Sequence, residues 1–138
     1  MVSVKRNRFQ RGVTLVEVLI VVTIIAVISG GAALLAFPML QESRVKSAVV
    51  GAGEVRSAAE IHIELDGSEG CPSVVELVSA KKLKAGKTDD PWGTPYRVDC
   101  SGEDGLHVYS NGRDKQPGTP DDVRDDTKMT DVKRIADL

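Results

Sequence analysis

The fold follows from one N-terminal segment, Gly12-Val13-Thr14-Leu15-Val16-Glu17, and from the run Val18–Leu40 that continues it. That run contains no charged residue, and about 20 apolar residues at ~1.5 Å per residue can cross a ~30 Å bilayer core. The residues before Gly12 carry only basic charges, at Lys5, Arg6, Arg8 and Arg11. Because basic flanks stay cytoplasmic, we expect a single-pass membrane helix with everything after Leu40 on the other side.

Glu17 is the one carboxylate within this apolar segment. An ionisable group in such surroundings is costly, and it usually has a functional partner. An ordinary secretory signal peptide has a shorter apolar core of ~7–15 residues followed by a small-residue cleavage site. A plain membrane anchor has no use for a carboxylate at this place. The position of Glu17 therefore indicates a function beyond anchoring.

This opening resembles the N-terminus of the type IV pilin-like family, whose precursors carry a short basic leader ending in glycine before a long apolar helix. In that family a membrane peptidase, the prepilin peptidase, cleaves after the glycine, and the new N-terminal residue is methylated. The resemblance implies a cleaved leader of residues 1–12, cleavage between Gly12 and Val13 with N-methylation of Val13, and a transmembrane and polymerisation helix over 13–40. Val13 stands where the family more often has phenylalanine.

The resemblance also implies a partner for Glu17, the fifth residue of the cleaved chain. Cleavage creates an α-amine at Val13, and in the family the carboxylate pairs with the amine of a neighbouring subunit. Each buried charge offsets the desolvation of the other, whereas removal of one leaves an unpaired charge that costs ~3–5 kcal/mol. We expect Glu17 to act in assembly of copies of this chain.

The part after Leu40 has the composition of one small acidic domain, with 14 Lys+Arg and 19 Asp+Glu. A nucleic-acid surface needs a basic stripe or stacking aromatics, and aromatic residues make up only 4% of the chain, so we expect no nucleic-acid partner. No catalytic Ser/His/Asp or Cys/His grouping and no glycine-rich phosphate loop is recognisable, so we do not expect an enzyme.

The periodicity after Leu40 predicts an α+β fold, in which a long N-terminal helix packs on a small antiparallel sheet. Apolar residues at spacings of three and four extend the helix to Asp66-Gly67, with one buried stripe: Val45, Ala48, Val49, Ala52, Val55, Ala59 and Ile63. A capping box at Ser73–Glu76 predicts a short helix that Gly86 ends. Alternation over Tyr96–Cys100 and a run over Leu106–Tyr109 predict a hairpin. We expect the polar tail from Asp125 to be loosely ordered.

Three carboxylates, Asp114, Asp121 and Asp122, lie in a loop rich in glycine and proline between Tyr109 and the end of the chain. Calcium prefers carboxylate and carbonyl oxygens on an adaptable loop, although this is not an EF-hand pattern. The residues alone leave two readings equally open, a calcium site and a solvated acidic loop. The carbonyls of Asn111 and Gln116 are further candidate ligands.

Asp90-Pro91-Trp92-Gly93 and the loop after Tyr109 resemble the major pseudopilins of type II secretion systems. The resemblance implies a structural Ca²⁺ ion held by the three aspartates within a calcium loop at 109–126. Lys115 stands where the family usually has glycine. Cys71 and Cys100 follow the membrane segment, so an oxidising compartment permits a disulfide between them, and two buried thiols are the alternative.

Together these resemblances imply a subunit of the type II secretion pseudopilus, with residues 41–138 as a periplasmic head behind an inner-membrane helix. Such a subunit polymerises through its N-terminal helix to drive export of folded proteins across the outer membrane. Its implied partners are itself as a helical homopolymer, the minor pseudopilins, the inner-membrane secretion platform and the prepilin peptidase. The alternatives are a type IV pilin or minor pilin of a surface fibre for adhesion or motility, and a monomeric tethered calcium-binding protein.

Overall fold

The computed structural model describes residues 12–67 and 70–138, without the side chains of residues 32–35. The expected leader, apart from Gly12, lies outside these residues. The structure contains two compact units, one ending at Ala36 and the other spanning Phe37–Leu138, and each is described by itself.

Helix α1 spans Leu15–Asp66, a total of 52 residues, so the long helix predicted from the periodicity is confirmed. Its start is capped by Thr14, whose Oγ1 accepts a hydrogen bond from the amide of Glu17 at 3.2 Å. Its end is marked by Gly67, which has a φ of 61°. Glycine adopts this left-handed conformation without a Cβ clash, which is why it commonly follows a helix.

The N-terminal unit exposes apolar side chains around the whole circumference of α1. Every residue from Leu15 to Gly31 is exposed, including Leu15 at 82% and Ile20 at 53%. A helix that is apolar on all sides is typical of one surrounded by lipid or by other helices. Among the residues described, α1 is the one helix long and apolar enough to cross a membrane, and it fits a single-pass anchor.

The C-terminal unit is built around one stripe of α1. Val45, Ala48, Ala52, Val55 and Ala59 are all at most 2% exposed, as the helical spacing predicted. Two apolar clusters cover this stripe. The first cluster packs around Leu77, Tyr96 and Val108, and the second packs around Val123, Val132 and Ile135.

The sheet has three antiparallel strands in the order β1-β2-β3: β1 Arg97–Gly102, β2 Gly105–Ser110 and β3 Val123–Arg124. The predicted hairpin is confirmed as β1 and β2, in which Arg97 lies opposite Tyr109 and Val98 opposite Val108. Strand β3 pairs with β2 and places Arg124 opposite Tyr109. The sequence pattern did not indicate β3, which is only two residues long.

Helix α2 spans Val74–Ser79, and the predicted capping is confirmed because Ser73 Oγ accepts a hydrogen bond from the amide of Glu76 at 3.2 Å. The expectation that Gly86 ends this helix is wrong. The chain leaves the helix at Lys81, which adopts a left-handed φ of 59°, and the amide of Lys82 then donates to the carbonyl of Leu77 at 2.9 Å. This closure is a Schellman-type helix end formed without glycine.

The expectation of a loosely ordered tail is also wrong. Helix α3 spans Met129–Ala136, and Val132 and Ile135 on one of its faces are 1% and 7% exposed. These two residues belong to the apolar cluster that covers Val45 and Ala48 of α1. Two apolar residues at a spacing of three are a weak signal within a charged segment, and their burial depends on α1 lying opposite.

A disulfide joins Cys71 to Cys100, which lie 29 positions apart in sequence and whose Cα atoms are 5.6 Å apart. Of the two alternatives that the sequence left open, the bond is the one that forms. It connects the segment after α1 to β1, so it closes a loop that contains α2.

We predict that reduction of this disulfide lowers the free energy of unfolding by about 3–4 kcal/mol, because the unfolded chain regains the entropy of the open loop. The melting temperature in a thermal shift assay should fall by about 10 °C or more. The double variant Cys71→Ser/Cys100→Ser is the control, since reductant should leave its melting temperature unchanged. A wild-type melting temperature that stays constant while free thiols appear would contradict the prediction.

Helix α1 and the segment leading into β1 are in close contact at Gly51. The Tyr96 hydroxyl donates to the carbonyl of Ala48 at 3.3 Å, and its ring passes directly over Gly51. A Cβ atom at Gly51 would lie 2.2 Å from the Tyr96 hydroxyl oxygen, whereas a Cβ at Gly53 would meet nothing within 4 Å. Gly51 is therefore required by close packing, and Gly53 is not.

We predict opposite effects of the same substitution at these two glycines. Gly51→Ala should destabilise the protein by roughly 1–2 kcal/mol, because overpacking against Tyr96 exceeds the gain in helix propensity. Gly53→Ala should stabilise it by roughly 0.5–1 kcal/mol, because only the propensity changes. Chemical denaturation of both variants measures this difference, and equal stabilities would show that Tyr96 does not constrain Gly51.

Candidate functional site

The expected processing site lies at the start of the described chain. Gly12 and Val13 are exposed and non-helical, and α1 begins two residues after Val13. A peptide bond in exposed, non-helical backbone is accessible to a peptidase, whereas a bond inside a helix is not. The local structure therefore suits cleavage between Gly12 and Val13.

Glu17 occupies the first turn of α1, where the helix dipole favours a negative charge. Thr14 and Glu17 have the spacing of a capping box, and the Thr14 half of that box is formed. The backbone amide of Glu17 thus takes part in the helix cap, a contact that the sequence analysis did not consider. Capping and assembly require different properties of residue 17. Glutamine is sufficient for the cap, whereas assembly requires the charged carboxylate.

The segment 111–122 connects β2 to β3 and lies within the candidate calcium loop, which is expected at 109–126. Its two ends touch at Gly112 and Asp121. Gly112 has a φ of 66°, and a Cβ there would lie 2.3 Å from the backbone oxygen of Asp121. Only glycine fits this contact, which brings the end of the loop back against its beginning.

Asp121 and Asp122 converge on one hydroxyl group. Thr119 Oγ1 lies 2.7 Å from Asp121 Oδ1 and 3.3 Å from Asp122 Oδ1. Asp114 joins them through its backbone, because its amide donates to Asp121 Oδ2 at 3.0 Å. The structure thus brings the carboxylates of Asp121 and Asp122 to one hydroxyl group, whereas the Asp114 carboxylate accepts from the amide of Gln116 at 2.8 Å.

Asp121 is held in its ionised form. Its partial burial acts to raise the pKa, but hydrogen bonds from the Thr119 hydroxyl and from backbone amides, including that of Asp114, lower the pKa below its usual value. A carboxylate that stays ionised over a wide pH range is suited to bind a cation.

The two backbone candidates lie at different places in the loop. Asn111 is buried, and its side-chain oxygen accepts from Arg97 Nε at 2.7 Å. The carbonyl oxygen of Gln116 lies 3.1 Å from Thr119 Oγ1, the hydroxyl that also lies beside Asp121 and Asp122. Thr119 was missed by the sequence analysis, although its position directly before Pro120 and two aspartates was an available signal.

Lys115 adopts a φ of 60°, the left-handed region that glycine occupies most easily. The position therefore keeps the turn conformation despite the lysine side chain. A non-glycine residue in this conformation costs roughly 1–2 kcal/mol, so the loop carries some strain here.

Among the described residues, the potential metal-ligand atoms of His107, Asp125 and Asp126 lie within 4.8 Å of one another, but these side chains already pair with other protein groups. Asp125 Oδ2 accepts from Arg56 Nη1 of α1 at 2.6 Å, and its Oδ1 lies 3.2 Å from His107 Nδ1. Asp126 pairs with Arg124 through two hydrogen bonds. Burial raises the pKa of Asp125, but these contacts and the amide of Val108 lower it overall. The group is an ion-pair network that ties α1 to the sheet.

Two family profiles match the chain. The profile described as "Prokaryotic N-terminal methylation motif" covers residues 7–33, and the profile "Type II secretion system (T2SS), protein G" covers residues 76–128. The first contains Gly12, Val13 and Glu17, and the second contains the candidate calcium loop. No solved structure matches the chain.

Curated relatives agree with these profiles over most of the chain. "Type II secretion system core protein G" of Escherichia coli strain K12 is 31% identical, covering 83% of this chain and 89% of the relative. The protein of the same name from Pectobacterium carotovorum is 30% identical, with 83% of each chain covered. That from Aeromonas hydrophila is 28% identical over 86% of this chain and 93% of its own. The chain therefore belongs to the protein G family of type II secretion systems, the pseudopilins that its sequence resembles.

Proposed function

We propose that this chain is a structural subunit of a type II secretion pseudopilus that polymerises through α1 and so drives export of folded proteins. The observation that carries the proposal is the joint match of a methylation motif and a protein G domain, on a helix whose first half is apolar on every side. Such a helix needs lipid before assembly and other helices after it. In this proposal α1 anchors the subunit in the inner membrane and residues 41–138 lie in the periplasm.

Processing by a prepilin peptidase is part of the proposal, since the methylation motif implies it. Cleavage after Gly12 leaves Val13 as an N-methylated terminus two residues before α1. The other proposed partners are further copies of this chain, the minor pseudopilins and the secretion platform. A type IV pilin of a surface fibre is a second candidate on the methylation motif alone, and the protein G profile favours the pseudopilin.

Glu17 meets the amine of Val13 in an adjacent subunit in this proposal. Within the fibre both groups are surrounded by the apolar side chains of α1 helices, so neither charge is well solvated. The pair then favours the register in which the two charges meet, because every other register leaves both of them unpaired.

We predict that Glu17→Gln abolishes fibre formation while membrane insertion and helix content stay unchanged. Glutamine keeps the backbone amide that Thr14 caps but removes the charge, and an unpaired amine costs ~3–5 kcal/mol per subunit. Electron microscopy of fibres and fractionation of membranes measure the two properties. Thr14→Ala is the matched control: it weakens the cap by ~1 kcal/mol, keeps the carboxylate and should still assemble. Normal fibres from Glu17→Gln would contradict the pairing.

We propose that the loop 111–122 binds a structural Ca²⁺ ion through Asp114, Asp121 and Asp122. Their oxygens are hard donors of the kind that calcium prefers, and the Gln116 carbonyl and Thr119 lie beside them. A bound cation would relieve the repulsion between the carboxylates of this loop. The ion supplies structural order and takes part in no reaction.

We predict that calcium stabilises the wild-type protein. Free Ca²⁺ at ~100 times its dissociation constant adds about 2.7 kcal/mol to the free energy of unfolding, which raises the melting temperature over that in EGTA. Asp121→Asn should lose most of this increment. Asp104→Asn, with the same charge change in the exposed turn between β1 and β2, should retain it. The same melting temperature of the wild type in calcium and in EGTA would refute the calcium site.

A further inference from the structure

One arginine side chain joins both ends of the loop 111–122. Arg97, the first residue of β1, donates from Nε to Asn111 Oδ1 at 2.7 Å and from Nη2 to Asp122 Oδ2 at 3.2 Å. Asn111 directly follows β2, and Asp122 directly precedes β3. The planar guanidinium presents its donors in a fixed fork, so it fixes the separation of these two residues.

The sheet holds Arg97 in the position from which it reaches the loop. Arg97 lies opposite Tyr109 in the β1–β2 register, and its guanidinium carbon is 5.5 Å from the centre of the Tyr109 ring. This distance is within the range of a cation–π contact. The side chain is therefore oriented by two neighbouring strands before it contacts the loop.

The contact between Arg97 and Asp122 also involves the middle of the loop. Asp122 Oδ2, which accepts from Arg97, also accepts from the amide of Gly118 in the middle of the loop at 2.8 Å. The Asp122 side chain is 16% exposed and Asn111 is 7% exposed, so both acceptors are largely removed from water. Polar interactions are stronger there than at the free surface.

We propose that Arg97 is a built-in cation that keeps the loop 111–122 folded when no divalent cation is bound. It offsets part of the charge of the loop and closes the loop between its first and last residues. Arg97 donates to Oδ2 of Asp122, whereas Oδ1 of the same carboxylate lies beside Thr119. Arg97 and a bound ion can therefore contact Asp122 at the same time, through different oxygens. Because the proposal concerns the metal-free loop, it does not rest on the calcium site.

The test is limited trypsin digestion of the full-length protein in detergent micelles with EGTA, following cleavage after Lys115 by mass spectrometry. We expect cleavage of Arg97→Gln to be roughly tenfold faster than that of the wild type, which is about 1.4 kcal/mol in loop opening. Arg97→Lys keeps the charge without the fork and should fall between them. Arg44→Gln, which removes an exposed arginine of α1, is the matched control and should be cleaved at the wild-type rate. Equal rates for Arg97→Gln and the wild type would overturn the proposal.

Hydrogen exchange separates local opening from general unfolding of the variant. Faster exchange of Arg97→Gln confined to the amides of Gln116 and Gly118, both hydrogen-bonded to aspartates of the loop, supports the proposal. Faster exchange that also includes Val108, in the middle strand, would overturn it, because Arg97 would then support the sheet as a whole.

Addition of calcium distinguishes this proposal from the calcium site. Recovery of trypsin resistance by Arg97→Gln in CaCl₂ supports both the role of Arg97 and the calcium site. Fast cleavage of Arg97→Gln in EGTA and in CaCl₂ alike supports the role of Arg97 and counts against the calcium site.

Discussion

Close packing of the small residues of α1 against the sheet is the interaction on which the C-terminal unit depends. Ala48, Gly51 and Ala52 present almost no side chain, so Tyr96 can reach a carbonyl of the helix itself. An ionic link reinforces this contact, because Arg56 pairs with Asp125 and the other oxygen of that carboxylate accepts from the amide of a β2 residue at 2.9 Å. Helix, sheet and the segment after β3 are therefore held by one continuous set of contacts.

The candidate calcium loop depends on the same core. Ser110, at the end of β2, donates to the buried carboxylate of Asp90 at 2.6 Å and accepts from the amide of Gly112 at 3.2 Å. Gly112 in turn contacts Asp121 across the loop. The beginning of the loop is thus anchored in the core, while Asp121 and Asp122 at its end meet at the Thr119 hydroxyl. A rigid frame that carries an adaptable charged loop is the usual way in which proteins build such sites.

Much of this architecture was predictable because it depends on patterns that are local in the chain. Helix α1 is apolar on all sides over its first half and amphipathic from Val45 onward, and the sequence alone predicts both patterns. The difference reflects the surroundings of each half. A helix in lipid can be apolar on every side, whereas a helix packed on one side against a protein core is apolar only along the stripe that it buries. The cap at Ser73, the left-handed Gly67 and the β1–β2 hairpin follow equally short-range rules. The aspartates of the loop were recognisable as a group because only eight positions separate the first from the last.

Contacts between distant segments could not be predicted from local sequence patterns. Val132 and Ile135 form a helix face only because α1 provides a surface to cover, so residue order alone predicted a loosely ordered tail. The disulfide stayed undecided until the fold brought two Cα atoms to 5.6 Å. Arg97 precedes its partners in the loop by 14 and 25 residues, and strand register brings them together. Composition and periodicity thus predicted a long N-terminal helix that fits a membrane anchor and an α+β head, whereas long-range packing decided which side chains meet, because such contacts depend on the whole fold.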